Sequence, residues 1–223
     1  MNVKPLALLS LAALLAGCGK CEYTEWYEPK QVHPKTEICG ERSDGKQVNG
    51  VERGYYYDGN RSYEVEYKAG KMDGAWKKWH ADSALAGEGV YVDGLREGTF
   101  VEYYPSGTKS AERVYRKGVQ EGRMTEWYQN GQKQLETTMS GDKRNGAFVE
   151  WFQNGKKRAE GTYVDGKLEG EYREWHENGN LAGEGTYKDD NREGDYTMYE
   201  EDGSKDRMAH YTKGEIDTLV RFQ

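Results

Sequence analysis

Glycine recurs in this chain at a fixed interval, and that interval constrains the fold more than any other feature. Gly50, Gly74, Gly98, Gly122, Gly146, Gly170 and Gly194 lie 24 residues apart. With each of these as position zero, an aromatic ring stands five residues later in every repeat: Tyr55, Trp79, Tyr103, Trp127, Trp151, Trp175 and Tyr199. A second glycine falls at position nine, with Ser83 the only departure. Glu holds position fourteen from Glu64 to Glu184, and Tyr holds position seventeen except at Met139. A period of roughly 20 to 50 residues means stacked copies of one supersecondary element, each too small to bury its apolar face alone.

Each repeat reads as a β-hairpin. A strand such as Phe148-Val149-Glu150-Trp151-Phe152 meets Asn154-Gly155, a strong hairpin signal, and a return strand runs from Ala159 to Val164. Asp165-Gly166 then turns the chain toward the next position-zero glycine. Side chains alternate across a strand, so positions thirteen, fifteen and seventeen share one face and fourteen and sixteen the other. Small residues at thirteen and fifteen, Ala159 and Gly161 in the fifth repeat, leave space for rings from adjacent strands. The expected fold is all-β, an elongated repeat sheet or solenoid of about seven 24-residue hairpins over residues 50–217. The position-five rings are expected to form a structural column in the core, Trp151 lying between Trp127 and Trp175. The glutamate row is expected to be a solvated face.

Open-ended arrays need caps. Thr24-Glu25-Trp26-Tyr27-Glu28 echoes Thr125-Glu126-Trp127-Tyr128-Gln129, so residues 21–49 read as a degenerate eighth hairpin with Pro29 and Pro34 in a lengthened turn. At the other end Ile216, Thr218, Val220 and Phe222 alternate as a final strand would, which makes 218–223 a capping strand. The repeat pattern, G-x-aromatic-x-E-W-aromatic-x-N-G followed by the Glu and the Tyr, resembles the MORN-variant repeat, shared with proteins labelled YwqK-family antitoxins. Trp127-Tyr128-Gln129-Asn130-Gly131 and Trp151-Phe152-Gln153-Asn154-Gly155 are its closest copies, and the resemblance covers Gly50 to about Asp217. It implies a hairpin array that serves as an interaction module.

The N-terminus carries a different signal. Lys4 precedes an apolar run from Leu6 to Leu15, about ten residues and too short to span a bilayer as a helix. Residues 1–17 therefore read as a signal peptide. Leu15-Ala16-Gly17-Cys18 resembles the lipobox of bacterial lipoproteins, which implies cleavage before Cys18 and acylation there, a palmitate-type membrane anchor. Residues 18–49 form the lipid-anchored N-terminal cap. Gly19 after the acylated residue implies the outer membrane in a host with two membranes, and otherwise the outer face of the cell membrane. With Cys18 used by lipid, Cys21 and Cys39 remain, and an oxidising compartment favours a disulfide between them over two free thiols.

Chemistry is sparse. His80 and His176 share a repeat position four repeats apart, too far to share a metal, and read with the aromatic rings; His33 and His210 stand alone. No nucleophile elbow, zinc motif or phosphate loop occurs, so no enzyme, cofactor or metal is expected. Asp-Gly and Asn-Gly turns read as turn chemistry and not as Ca²⁺ ligands. A net charge of −7 without a basic patch excludes a nucleic-acid binder. The expected function is a non-catalytic envelope lipoprotein acting as a scaffold for an unknown protein partner. Two alternatives stand beside it: a cell-wall glycan reader stacking sugars on the rings, and an immunity factor against an exported toxin.

Overall fold

The computed structural model describes residues 21–24, 35–43 and 46–222. The expected signal peptide of residues 1–17, the expected lipidation site Cys18, the expected turn at Pro29 and Pro34, and His33 lie outside them. The described residues are all-β, and no helix among them is long and apolar enough to cross a membrane. The chain divides into two compact units, one up to Arg96 and one from Glu97.

In the first unit, β1 (Cys21–Thr24), β2 (Lys35–Ser43), β3 (Lys46–Tyr55), β4 (Arg61–Lys68), β5 (Lys71–Trp79) and β6 (Leu85–Val92) pair antiparallel in chain order. Cys21 lies opposite Cys39 in the β1–β2 register, and the two are joined by a disulfide with their Cα atoms 4.0 Å apart.

The second unit is likewise a meander. Its strands are β7 (Leu95–Tyr103), β8 (Lys109–Arg116), β9 (Val119–Trp127), β10 (Lys133–Ser140), β11 (Lys143–Trp151) and β12 (Lys157–Val164). There follow β13 (Lys167–Leu168) and β14 (Gly170–Trp175), one strand broken at Glu169, then β15 (Leu181–Lys188), β16 (Asn191–Tyr199), β17 (Lys205–Thr212) and β18 (Glu215–Arg221). Each pairs antiparallel with the next. The last strand starts at Glu215, three residues ahead of the expected cap, and is exposed throughout.

Two turn types alternate. In the hairpin loop the position-six N–H bonds the position-ten carbonyl, and the position-nine N–H bonds back to position six, as in Phe152→Lys156 and Gly155→Phe152. This is a three-residue loop closed by a left-handed glycine, Gly155 at φ 83°. It shifts the register between Glu150 and Trp151. Position eight is Asp, Asn or Ser because its side chain accepts the position-ten N–H, as Asn154 does from Lys156 at 2.9 Å. The return turn is two residues with both φ positive, as at Asp165 and Gly166.

The position-zero glycine sits in a bulge, Gly146 at φ 120°, where the β10–β11 register slips. The residue before it reaches forward to the following return turn: Glu97, Glu121, Glu169 and Glu193 accept the N–H of Lys117, Gly141, Asp189 and Lys213. In those four repeats the preceding side chain makes this contact next to a glycine of positive φ, Gly98, Gly122, Gly170 or Gly194.

The core lies on one face, and it is not built from the position-five column. Tyr55, Trp79, Tyr103, Trp127, Trp151, Trp175 and Tyr199 are all half-buried. Among the described residues, Trp127, Trp151 and Trp175 make no ring-to-ring contact with one another. The buried rings are at position two, where Phe100, Phe148 and Tyr196 are 7%, 3% and 1% exposed. Phe148 lies opposite Gly161, and a Cβ on Gly161 would meet its ring at 2.9 Å. Rings do pack over glycine as expected, but they come from position two. Phe148 touches Tyr163 at 4.9 Å and Tyr172 at 6.5 Å; Tyr172 meets Tyr187 at 5.1 Å; Tyr196 then joins Tyr187 and Tyr211. These tilted and edge-on contacts suit the ring quadrupoles and make one ladder across six strands, β11, β12 and β14 to β17. Arg192 closes it, lying 3.9 Å over Tyr196 and donating to the Tyr187 and Tyr211 hydroxyls. In the first repeat the roles reverse: Glu52 replaces the ring, and Tyr63 from the return strand lies over Gly54 and donates to Glu52 at 2.6 Å.

Candidate functional site

The opposite face carries a regular chemical pattern. In three successive repeats a lysine at position eleven lies over the tryptophan of the next repeat: Lys109 over Trp127, Lys133 over Trp151 and Lys157 over Trp175, at 5.7, 5.6 and 5.5 Å. The same lysines bond the position-fourteen glutamates Glu112, Glu136 and Glu160 on their own strand. Arg61 repeats the arrangement in the first unit with Trp79 and Glu64. The strand pleat explains the spacing. Positions eleven and fourteen flank a register shift, so the ammonium reaches the carboxylate and still covers the ring beside it.

Hydrogen bonds hold the row in step. Tyr56, Tyr104 and Tyr128 donate from position six to the backbone carbonyls of Trp79, Trp127 and Trp151 in the next repeat, at 2.7 to 2.8 Å. His176 takes the same place with Nε2 2.8 Å from the Tyr199 carbonyl, so that nitrogen carries the proton. This is a structural use of the histidine, in keeping with its place among the rings. The loop asparagines form a parallel row: Asn130, Asn154 and Asn178 donate to the carbonyls of Gln153, Glu177 and Glu201.

Electrostatics on this face are those of paired charge. The Lys133 ammonium, bonded to Glu136, holds its carboxyl below the ordinary range, and Arg123 adds to the effect. At two of the position-five tyrosines the hydroxyl donates to a glutamate instead: Tyr55 to Glu37, and Tyr199 to Glu184 at 2.8 Å. A depression of about 230 Å³ opens between β11, β12 and β14, lined by Val149, Glu160, Thr162, Glu171 and Arg173 among others. Arg173 is an ion-pair partner of Glu160, Glu171 and Glu184. The described residues bring Cys21, Glu37 and Cys39 within metal-ligand reach of one another, but the two sulfurs are bonded to each other and offer no thiolate. His210 pairs with Asp195 at 2.7 Å, which raises its pKa.

Sequence reasoning found the tryptophans and glutamates of this face but not the lysines between them. The signal was present: position eleven is Arg61, Lys109, Lys133, Lys157 and Lys205 in five of seven repeats. Five stretches of the chain match the family model for the MORN repeat variant, residues 48–69, 96–117, 120–140, 144–165 and 168–189. Over those stretches the hairpins are similar to the MORN repeat variant. The second and seventh, which fall outside them, are the repeats with Ser83 in place of the loop glycine and Met208 in place of the glutamate. No curated protein matches the chain.

Proposed function

We propose that this array of MORN-variant repeats is a non-catalytic scaffold, held at the cell envelope by lipid on Cys18, that binds an extended segment of a protein partner along its lysine–tryptophan–glutamate face. The observation that carries the reading is the repetition of one triple in three consecutive repeats. Strands lie about 4.8 Å apart, so hairpins place these triples roughly 10 Å apart. A ligand with its own regular charge meets the same chemistry several times, and the weak contacts accumulate by effective concentration. A repetitive face of this kind is what repeat arrays use for extended ligands.

A sugar reader needs open ring faces. Here the lysines occupy the faces on which a sugar would stack, which ranks glycan binding second. The immunity reading has no residue on this face to support it.

The test is a pulldown from detergent-solubilised envelope with the full chain as bait, beside Lys133→Glu and Lys157→Glu variants. Exposed ion pairs contribute at most about 1 kcal/mol each, so the variants are expected to keep their fold. One stoichiometric protein captured by wild type and lost at least tenfold by the variants is the expected result. Unchanged capture by both variants would refute this face, and sedimentation of the chain with peptidoglycan would promote the glycan reader.

A further inference from the structure

We infer that β18 is a self-association edge: two copies of this chain pair their β18 strands antiparallel about a two-fold axis near Thr218 and Leu219. The inference stands apart from the partner-binding face.

In the second unit β8 to β12 and β14 to β17 are each paired on both sides. Among the described residues of that unit, β18 pairs with β17 alone. An edge strand presents a row of unpaired N–H and C=O groups, and proteins usually blunt it with short length, bulges or charge. This one is bulged between Ile216 and Thr218 and carries charge, yet it also shows three exposed apolar side chains, Ile216 at 55%, Leu219 at 47% and Val220 at 45%, with Phe222 at 42% just beyond its end. Leu219 faces Ala209, which is only 1% exposed, so it extends the core row. In an interior repeat the matching side chain, such as Phe148 opposite Thr137, has strands on both sides and is 3% exposed. The core row therefore runs out to an open edge.

The charges on β18 say what fits there. They are sorted by sign along the strand: Glu215 and Asp217 near its start, Arg221 at its end. Asp217 is engaged by the Thr212 hydroxyl at 2.5 Å. Glu215 and Arg221 make no ion pair among the described residues. A parallel neighbour of the same sequence would set acid beside acid. An antiparallel copy sets Arg221 of each strand beside the acidic end of the other and extends both apolar rows. Such a contact is isologous and closes as a two-fold dimer. Opposed residues in an antiparallel pair have Cβ atoms about 4.5–5.5 Å apart. Cysteines at the axis of the two copies therefore come within disulfide reach of each other.

The experiment places a single cysteine in the full chain, as Thr218→Cys or Leu219→Cys, and follows mild oxidation in detergent by non-reducing electrophoresis. Wild type and Val92→Cys, an exposed site in the first unit, serve as controls for the native cysteines and for random collision. We expect one or both axis variants to convert mostly to a species of twice the monomer mass, at least fivefold above the controls. Adding Arg221→Glu is expected to cut that yield fivefold or more, and adding Glu215→Arg to that variant to restore it. The inference is overturned if neither axis cysteine crosslinks above Val92→Cys, if Arg221→Glu changes nothing, if the double exchange does not recover the yield, or if the cysteine captures a different protein. Both sites are exposed and terminal, and a matching melting curve confirms that each variant is folded; if one is not, the other decides.

Discussion

Phe148 and Trp151 stand three residues apart on β11, and the strand pleat gives them opposite surroundings. Phe148 is 3% exposed and packed against Leu135 and Ala159, with Tyr163 and Tyr172 beside it. Trp151 is half-buried under the Lys133 ammonium. Deleting a buried Phe side chain costs about 3–5 kcal/mol, the transfer loss plus the cavity. Deleting a half-buried Trp forfeits about half the area burial and one cation–π contact, on the order of 2 kcal/mol. Phe148→Ala should therefore lower the thermal midpoint about twice as far as Trp151→Ala, read by near-ultraviolet circular dichroism. Equal losses, or a larger loss at Trp151, would return the core to the position-five column. That column misled because its identity hardly varies, while position two runs through Glu52, Trp76, Phe100, Met124, Phe148, Tyr172 and Tyr196. Apolar character in six of seven repeats was the better guide to burial than sameness. Sameness at position five instead reflects contacts to neighbouring repeats, the lysine over the ring and the tyrosine on the carbonyl.

Hairpins were legible element by element, since the turn residues are local. The Asn-Gly pair marked the loop, although it closes as a three-residue loop with the glycine left-handed. The role of the period glycine was not legible. Nothing local to Gly146 announces a bulge, which exists only where two strands from different hairpins meet. Glycines here thus have two separable reasons, and substitution tells them apart. At Gly107 φ is 82° and no atom lies within 4 Å of an added Cβ, so Gly107→Ala meets only the left-handed penalty, about 1–2 kcal/mol. At Gly185 φ is ordinary, but a Cβ would lie 2.4 Å from the Tyr196 ring and 2.9 Å from the Asp195 carbonyl oxygen. Overpacking that shifts a ring and a strand together costs about 3 kcal/mol or more. Gly185→Ala is therefore expected to melt well below Gly107→Ala in thermal unfolding. If the order reverses, ring-over-glycine packing is not what fixes the return-strand glycines.

At the scale of the whole molecule, the array and its attachment are separate physical problems. The repeats exchange hydrogen bonds and rings with their neighbours, and stability in such arrays is a sum of repeat and interface contributions. Nothing in that sum depends on Cys18, which precedes the first described strand. The proposed attachment is by acyl chains: each buried CH₂ contributes about 0.8 kcal/mol, one chain holds a protein reversibly, and two or more hold it stably. The disulfide from Cys21 to Cys39 ties β1 to β2 close behind the proposed anchor. Cys18→Ser should accordingly abolish lipid attachment and leave the repeats intact. The measurement is fractionation of cells making the full chain, combined with mass analysis of the N-terminus and a melting curve of the released protein. Wild type is expected in the detergent phase with an acylated, processed N-terminus. The variant is expected in the aqueous phase, or retained as unprocessed precursor, with the β-sheet spectrum unchanged once extracted. A Cys18→Ser chain that is processed normally and still requires detergent would show that something other than lipid holds it to the membrane. The exposed apolar residues of β18 would then be the first place to look.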